Sequence, residues 1–346
     1  MQRCLYCCHL YCQSEKILQF EINRGNLTTG NNLYEYCTED ISNREDTMKK
    51  LLSYFLLLTF IAFAAGCGSS ATNQPQAAKD FSIKIGGSST LAPVIAKAAD
   101  DFTEKYKTWK KVKDSFSDEP IAIFVATGGS GFGVKSATNG TVDIGLVSRV
   151  VTDAEKQKLP NHKFYTIGFD ALTIAVHSQN PIAKVKPNLT KDEVKRIFAG
   201  EIKTWKQLDD SLPDRPIVVA IRDLGGGASQ AFDEVVMKGT PISKEAIQFP
   251  SMGALAGKVQ ENVDAIGYVS TGLVTQNKGK IAVLSVDSIE PTNENIVNGK
   301  YTISRPLILI AKAQADEREQ QLINYLISES GLKTLEDMGF IPAKNK

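Results

Sequence analysis

Ala126-Thr-Gly-Gly-Ser-Gly-Phe-Gly-Val-Lys135 is the stretch from which the fold of this chain can first be inferred. It follows the β-branched run 121–125 and precedes a helical pattern, so it predicts a glycine-rich turn between a strand and a helix. Backbone N–H groups are exposed in such a turn, and at a helix N-terminus they can bind an anion. A single turn of this kind is also compatible with a tight connection that binds nothing.

Two further turns share this composition and this position between a strand and a helix. They are Gly86-Gly-Ser-Ser-Thr90 and Arg222-Asp-Leu-Gly-Gly-Gly-Ala-Ser229. In α/β sheets the strand C-termini and helix N-termini lie along one edge, so the three turns are predicted to meet there. Several N–H and hydroxyl donors suit a tetrahedral oxyanion, and each charge-assisted hydrogen bond contributes about 1.5–3 kcal/mol. The three turns therefore predict one shared oxyanion site.

Two arginines follow predicted strands at the same edge. Arg149 comes just after the run 142–147, and Arg222 directly follows the run 217–221. A guanidinium can hold two oxygens of an anion at once, so both residues are candidate ligands. The alternative for each is an ion pair at the surface.

Strands and helices alternate from Phe81 to the C-terminus, which favours parallel or mixed sheets covered by helices on both faces, and we predict a mixed sheet in each lobe. The segment 166–177 is long for a strand and is interrupted by Asp170, so we predict that it crosses between two lobes. About 265 residues exceed what one compact sheet needs, which also favours two α/β lobes. Helix boundaries are predicted from an N-cap at Thr90, capping boxes at Thr152–Glu155 and Thr190–Glu193, and a C-cap at Gly200.

The N-terminal region has a different composition. All six cysteines lie between Cys4 and Cys67. Met48 opens a positive and then apolar segment that ends in small residues before Cys67, which indicates a secretory signal and resembles the lipobox of bacterial lipoproteins. We expect 1–47 to be an unstructured, non-native upstream extension, 48–66 the signal peptide and 67–80 a flexible tether. An uncleaved anchor is the alternative for 48–67.

Several functional classes find little support in the sequence. A formal net charge of +1 gives no indication of a nucleic-acid partner. The cysteine cluster lacks a matching second ligand pair, so no metal site is predicted. The turn at 128–136 lacks the Gly-Lys-Ser/Thr ending of a P-loop, because Val134 separates Gly133 from Lys135. His162 and His177 lie in no recognisable catalytic motif, so we expect neither an enzyme nor a cofactor.

From Phe81 onward, the chain resembles the phosphate-binding proteins of bacterial ABC transporters, which are type II periplasmic binding proteins. The segments that carry the resemblance are Gly87–Pro93, Thr127–Gly131, Asp143–Arg149, Ile197–Ile202 with Trp205, Ala265–Tyr268 and Ser304–Leu307. The resemblance implies two lobes joined by crossover strands, with phosphate bound in the cleft. We place lobe 1 at 81–171 with 299–346, and lobe 2 at 172–298.

The resemblance also implies a cellular role and a set of ligands. It implies a monomeric receptor, anchored by a lipid on Cys67 at the outer face of the cell membrane or in the periplasm, that delivers phosphate to ABC permease subunits. Palmitate is the expected acyl group. The residues implied to bind phosphate are Thr90, Leu91, Ser130, Ser148, Arg149, Asp170, Arg222, Gly226 and Gly227. Among these, Arg222 is the implied principal cation.

The chain departs from the family pattern at two places. Family members commonly read Gly-Ser-Gly-Thr where this chain has Gly225-Gly226-Gly227-Ala228, so two hydroxyl donors are missing. Each loss weakens binding by on the order of 1 kcal/mol unless a backbone N–H, a water or Ser229 replaces the donor. Ser148 stands where some relatives carry aspartate. Asp170 is then the candidate acceptor for the proton that distinguishes phosphate from sulfate, and its alternative is a hinge or helix-capping role.

These departures leave other functions open. One is a receptor for molybdate or sulfate, which would need no carboxylate acceptor. Another is a surface sensor or adhesion protein that uses the fold without transport. An enzyme of phosphate metabolism is a third class, which turnover of phosphate esters would identify.

Overall fold

The computed structural model describes residues 81–343. The predicted extension at 1–47, the signal peptide at 48–66 and the tether with Cys67 lie outside these residues. None of the helices within 81–343 has both the length and the apolar character that a membrane span requires.

The described chain alternates strands and helices, as predicted. Its strands are β1 (Ile83–Gly87), β2 (Ile123–Thr127), β3 (Ile144–Val147), β4 (His162–His177), β5 (Asn188–Leu189), β6 (Val218–Arg222), β7 (Ile247–Phe249), β8 (Ala265–Ser270), β9 (Ile281–Val286), β10 (Ser304–Lys312) and β11 (Ile341–Pro342). The α-helices are α1 (Ala92–Tyr106), α2 (Trp109–Val112), α3 (Gly129–Thr138), α4 (Asp153–Gln157), α5 (Ile182–Val185), α6 (Lys191–Ala199), α7 (Gly227–Phe232), α8 (Met252–Glu261), α9 (Thr271–Gln276), α10 (Asn293–Val297), α11 (Glu317–Leu326) and α12 (Glu329–Asp337). A π-helical turn, Asp233–Met237, continues α7.

The strands form a mixed sheet, which confirms the prediction. Its main order is β2-β1-β3-β10-β4-β8-β6-β7. β1 runs parallel to β2 and β3, and β6 runs parallel to β7 and β8. The long strands β4 and β10 pair antiparallel with each other and join these two parallel sets. The carboxyl ends of β1, β2 and β6 lead into the three glycine-rich turns, and the carboxyl end of β3 leads into Ser148.

The hydrophobic core is divided into two large clusters. One contains buried residues from 83 to 167 and from 307 to 340, and the other contains residues from 171 to 303 with Ile341. The division falls within β4 and just before the apolar half of β10. The lobe boundaries at 171/172 and 298/299 stay a prediction, and this division of the core supports them.

The predicted crossover segment forms part of β4, which is 16 residues long. Its second half, from Ala171 to Val176, is completely buried, because it pairs with β8 on one side and β9 on the other. Asp170 lies immediately before this half and pairs in register with Arg305 of β10. The interruption of the apolar run therefore marks the place where two crossing strands bring opposite charges together.

Local sequence determines most of the tested helix ends. Both predicted capping boxes are present, with Thr152 and Thr190 accepting hydrogen bonds from the backbone of Glu155 and Glu193. Gly200 ends α6 in the left-handed conformation, as predicted. The prediction of Thr90 as N-cap is wrong: α1 begins at Ala92 without a side-chain cap, because the Thr90 hydroxyl is bonded to Arg305.

Each core cluster contains a similar tryptophan loop, which the sequence analysis did not detect. Residues 107–121 and 203–217 are identical at nine of fifteen aligned positions, including Trp109 and Trp205. Both indoles are buried, and each loop closes through an antiparallel bridge to a proline twelve residues after its threonine. Each loop leads into the strand that precedes a glycine-rich turn, so the same supersecondary unit occurs once in each cluster.

Candidate oxyanion site

The three glycine-rich turns meet at one place in the structure. A Cβ atom added to Gly129 would lie 2.8 Å from the carbonyl oxygen of Gly225, and one added to Gly227 would lie 2.3 Å from Ser130 Oγ. Buried polar side chains gather around this contact. We call Ser88, Ser89, Thr90, Ser130, Ser148, Arg222 and Arg305 the oxyanion cluster; each of them is less than 9% exposed.

The first turn contributes three consecutive hydroxyls from the loop between β1 and α1. Ser88 Oγ accepts hydrogen bonds from the backbone N–H groups of Thr90 (3.2 Å) and Leu91 (3.3 Å). It also lies 2.6 Å from Ser148 Oγ. Because Ser88 already accepts two N–H groups, its own proton is directed to Ser148, and the Ser148 hydroxyl keeps its proton for another acceptor.

The second turn places Ser130 in the first turn of α3. Ser130 Oγ accepts a hydrogen bond from the Ser148 backbone N–H at 3.0 Å, which leaves the Ser130 proton for another acceptor. The first N–H groups of α3 have no acceptor within their own helix, and the same holds for the first N–H groups of α7 at Gly227. Two helix N-termini therefore add donors and partial positive charge to the cluster.

The third turn positions Arg222 at the end of β6. Its guanidinium donates to Asp223 Oδ1 (2.7 Å), to the carbonyl oxygen of Phe249 (3.2 Å) and to Ser89 Oγ (2.6 Å). A Cβ at Gly226 would lie 2.9 Å from Arg222 Nη2, so glycine lets the turn pack on the guanidinium. Arg222 is thus rigidly held at the contact between the turns.

Arg305 is a second buried arginine of the cluster. Its Nε and Nη2 donate to Asp170 Oδ2 at 3.0 and 2.8 Å, its Nη1 donates to the Ser148 carbonyl oxygen, and its Nη2 also donates to Thr90 Oγ1. Burial lowers the pKa of Arg305 from its ordinary value, and the charge of Asp170 opposes this effect. The nearby charge of Arg222 also lowers that pKa.

The carboxylate of Asp170 is fully occupied by protein donors. Oδ1 accepts from the Thr271 backbone N–H (3.0 Å) and hydroxyl (2.8 Å), while Oδ2 accepts twice from Arg305. Thr271 is the first residue of α9, so Asp170 caps this helix and neutralises Arg305. This geometry favours the helix-capping interpretation of Asp170 over the interpretation as an acceptor for a phosphate proton.

Arg149 is oriented away from the oxyanion cluster. Its Nη1 and Nη2 bind the two carboxylate oxygens of Glu155 at 2.7 and 2.6 Å, and Nη1 also donates to the Val150 carbonyl oxygen. Within residues 81–343, none of its hydrogen bonds goes to a member of the cluster. The structure therefore places Arg305, and not Arg149, beside Arg222.

The departures at Gly226 and Ala228 are not compensated by Ser229. The Ser229 hydroxyl bonds with the Arg222 carbonyl oxygen (2.8 Å) and with the Tyr268 hydroxyl (2.9 Å), beneath the turn. Tyr268 in turn accepts a hydrogen bond from the Arg222 backbone N–H. Ser229 therefore supports the position of Arg222 and leaves no free proton for a ligand.

The structure brings most of the predicted site residues together, but it engages Arg149 and Asp170 in hydrogen bonds with other protein groups. Thr90, Leu91, Ser130, Ser148, Arg222, Gly226 and Gly227 all lie at the meeting point of the turns. Sequence analysis missed three members of the cluster, namely Ser88, Ser89 and Arg305. Arg305 carried a detectable signal, because it is a charged residue that opens the apolar strand 305–311.

The arrangement suits an anion that accepts hydrogen bonds from several sides. Hydroxyl protons, two helix N-termini and two guanidinium groups surround one point, while a single carboxylate, Asp170, is buried beside them. Such charge-assisted donors contribute about 1.5–3 kcal/mol each, which outweighs the cost of removing the anion from water. Within 81–343, no group of three or more histidine, cysteine, aspartate or glutamate residues is suited to bind a metal.

Comparison with known proteins identifies a matching family model and similar proteins. A family model described as the PBP superfamily domain matches residues 70–330. The phosphate-binding protein PstS of Staphylococcus haemolyticus is 31% identical over 298 residues, covering 82% of this chain and 88% of its own length. PstS of Staphylococcus epidermidis is 30% identical over 278 residues, covering 77% and 80%.

Solved structures show the same relationship. A candidate phosphate ABC transporter substrate-binding protein from Clostridium perfringens, with bound phosphate, has a TM-score of 0.66 and 30% identity, covering 76% of this chain and 100% of its own. An ABC-type phosphate transport receptor from Vibrio cholerae has a TM-score of 0.59 and 27% identity, covering 75% and 99%.

Proposed function

This chain belongs to the PBP superfamily, and we propose that it captures inorganic phosphate outside the membrane and delivers it to an ABC permease. The observation that carries the proposal is the convergence of three glycine-rich turns, at the carboxyl ends of β1, β2 and β6, with two buried arginines, Arg222 at the end of β6 and Arg305 at the start of β10. Relatives named as phosphate-binding proteins cover most of the chain and support this choice of anion.

The proposed ligands are groups that lie at the meeting point of the turns. They are the hydroxyls of Thr90, Ser130 and Ser148, the N–H groups of Leu91, Gly226 and Gly227, and the guanidinium of Arg222. In this structure the N–H groups of Leu91 and Gly226 donate to Ser88 Oγ and to the Asp223 carbonyl oxygen. Arg305 adds a second positive charge and orients Thr90 by donating to its oxygen. Asp170 acts in this proposal through Arg305 and α9, and Arg149 acts through its pair with Glu155.

Calorimetric titration of the purified protein, freed of bound ligand, tests this function. We expect heat with phosphate and much weaker binding of sulfate and molybdate. Absence of heat with phosphate would refute the proposal. Incubation with phosphate esters is a parallel test, because a binding protein should release no phosphate from them.

A receptor for sulfate or molybdate is the second candidate. Two observations favour it: the hydroxyls at positions 226 and 228 are absent, and all four acceptor directions of Asp170 are occupied. A fully deprotonated ligand needs no acceptor, whereas monohydrogen phosphate presents one proton. The same titration separates the two functions, since this candidate requires tighter binding of sulfate or molybdate than of phosphate.

The cellular arrangement follows as part of the proposal. We propose that Cys67 carries the lipid and becomes the mature N-terminus, that 67–80 connects the anchor to the binding domain, and that the receptor is a monomer. Mass spectrometry of the native N-terminus tests the anchor, and a mature chain that begins upstream of Cys67 would contradict it.

A further inference from the structure

Ser89 is a member of the oxyanion cluster that neither the sequence motifs nor the comparisons assign. It lies in the loop between β1 and α1, so its backbone belongs to the first core cluster. Its hydroxyl oxygen, however, accepts its two hydrogen bonds from elements of the second cluster. The donors are Arg222 Nη1 at 2.6 Å and the backbone N–H of Met252 at 3.3 Å.

We propose that Ser89 is a latch between the lobes, a positioning residue that sets how long the cleft stays closed around the anion. This inference rests on the proposed function, since it concerns the same site. The two hydrogen bonds join the end of β6 and the start of α8 to the first turn. These bonds can form only when β6 and α8 lie against the first turn. They therefore stabilise the closed cleft and not the open one.

The charge of Arg222 makes this contact strong. Arg222 also donates to Asp223, which directly follows β6, and to Phe249, which packs against the second cluster. Both contacts stay on the same side of the site as Arg222. Ser89 is therefore the residue of the first turn that accepts from this guanidinium. A short hydrogen bond from a buried cation is about twice as strong as a neutral one. Both acceptor positions of the Ser89 oxygen are occupied by these two donors from the second cluster.

We expect the latch to affect the dissociation of phosphate and not its association. The free, open protein lacks the Ser89 bonds, so their loss leaves the encounter with phosphate unchanged. Removal of the bonds destabilises the closed complex, and the anion then escapes faster. A bond to a charged group corresponds to a roughly tenfold or larger change in the dissociation rate.

Stopped-flow binding of phosphate to the full chain tests the latch with two variants. Ser89→Ala removes the oxygen, while Ser89→Cys keeps a side chain of similar shape but offers only a weak acceptor. We expect both variants to release phosphate about tenfold faster or more, with an unchanged association rate and an unchanged melting temperature without phosphate. Ser136→Ala is the matched control, because Ser136 is also a buried serine and lies on α3 outside the cluster.

The outcomes separate the latch from the proposed function. Phosphate binding by the wild-type protein decides the function by itself. With binding established, a wild-type dissociation rate in both variants would overturn the latch and leave the function intact. A slower association rate with unchanged dissociation would also overturn it. Should Ser89→Ala fail to fold, Ser89→Cys gives the same decision, because it preserves the packing.

Discussion

Individual residues decide how closely the three turns approach each other. Gly227 and Ser130 are in such close contact that a methyl group at position 227 would lie 2.3 Å from the Ser130 hydroxyl oxygen. Gly225, two residues earlier, has no atom nearer than 4.0 Å to an added Cβ. Two glycines in one run therefore have different constraints, although the sequence shows them as equivalent.

Gly227→Ala is expected to weaken phosphate binding by roughly tenfold or more, because the turns must separate to admit the methyl group. Gly225→Ala is the matched control and should bind as the wild type does. Isothermal titration of both variants with phosphate checks the prediction. Equal affinities would show that the close approach of Gly227 to Ser130 is not needed for binding.

Asp170→Asn is expected to destabilise the fold by about 3–5 kcal/mol, because Arg305 would remain buried without its charge partner. Urea unfolding at neutral pH measures this loss. Sulfate titration of the same variant separates the capping role of Asp170 from the selectivity role. If Asp170 only caps α9 and neutralises Arg305, its replacement should leave sulfate binding unchanged. A stable Asp170→Asn protein that gains sulfate binding would restore the selectivity role.

Short elements near the site hold their loops through local hydrogen bonds. α4 has a capping box in which Glu155 bonds with the Thr152 backbone, and the same carboxylate binds Arg149 through two hydrogen bonds. The hydrogen bond from Arg149 holds the pKa of Glu155 below its ordinary value. The loop that follows Ser148 is therefore fixed between β3 and α4.

Glu155→Gln keeps the capping box, since glutamine can occupy its third position, but removes the charge that faces Arg149. We expect a loss of about 0.5–1.5 kcal/mol at pH 7, limited by the partial exposure of Glu155. A carboxyl with a lowered pKa stabilises the fold above its unfolded pKa, and this stability is lost as the pH falls through the folded pKa. The difference between variant and wild type should therefore shrink below about pH 4.5.

Glu193→Gln is the control for this element, because α6 has the same capping box. Glu193 pairs with Lys186, whose side chain is 29% exposed, whereas Arg149 is 7% exposed. We expect a smaller loss in the control at pH 7, measured by thermal unfolding. A loss as large as that of Glu155→Gln would assign the effect to the capping box alone.

At the scale of the whole molecule, the paired strands β4 and β10 connect the two core clusters. These strands pair along nine residues; β4 contributes buried side chains to both clusters, β10 contributes them to the first, and Ile303 just before β10 belongs to the second. A ligand bound between the clusters makes contacts with both, so it stabilises the folded chain as a unit. Binding at the oxyanion cluster is therefore expected to appear as a shift of global stability.

Phosphate at one hundred times its dissociation constant should add about 2.7 kcal/mol to the free energy of unfolding. For a domain of this size, that corresponds to a rise in melting temperature of roughly 5–10 °C. Differential scanning calorimetry with and without phosphate measures the rise. Gly227→Ala at the same phosphate concentration should show a smaller rise, and an equal one would place the stabilising anion elsewhere.

The sequence by itself determined the features that depend on neighbouring residues. The capping boxes at Thr152 and Thr190 and the end of α6 at Gly200 follow from local hydrogen bonding, and all were predicted correctly. The hydrophobic pattern predicted a long strand at 166–177, and β4 begins four residues earlier, at His162. The gathering of three turns was predicted as well, because the carboxyl ends of strands in an α/β sheet share one edge.

Only the tertiary structure decided which charges meet. Arg149 and Arg305 each border a strand, but Arg149 binds a glutamate six residues away, while Arg305 reaches Thr90 across more than two hundred residues. Asp170 likewise acquired its four donors from Thr271 and Arg305 through strand pairing. Long-range register and crossing strands set these distances, and a pattern along the chain contains no information about them.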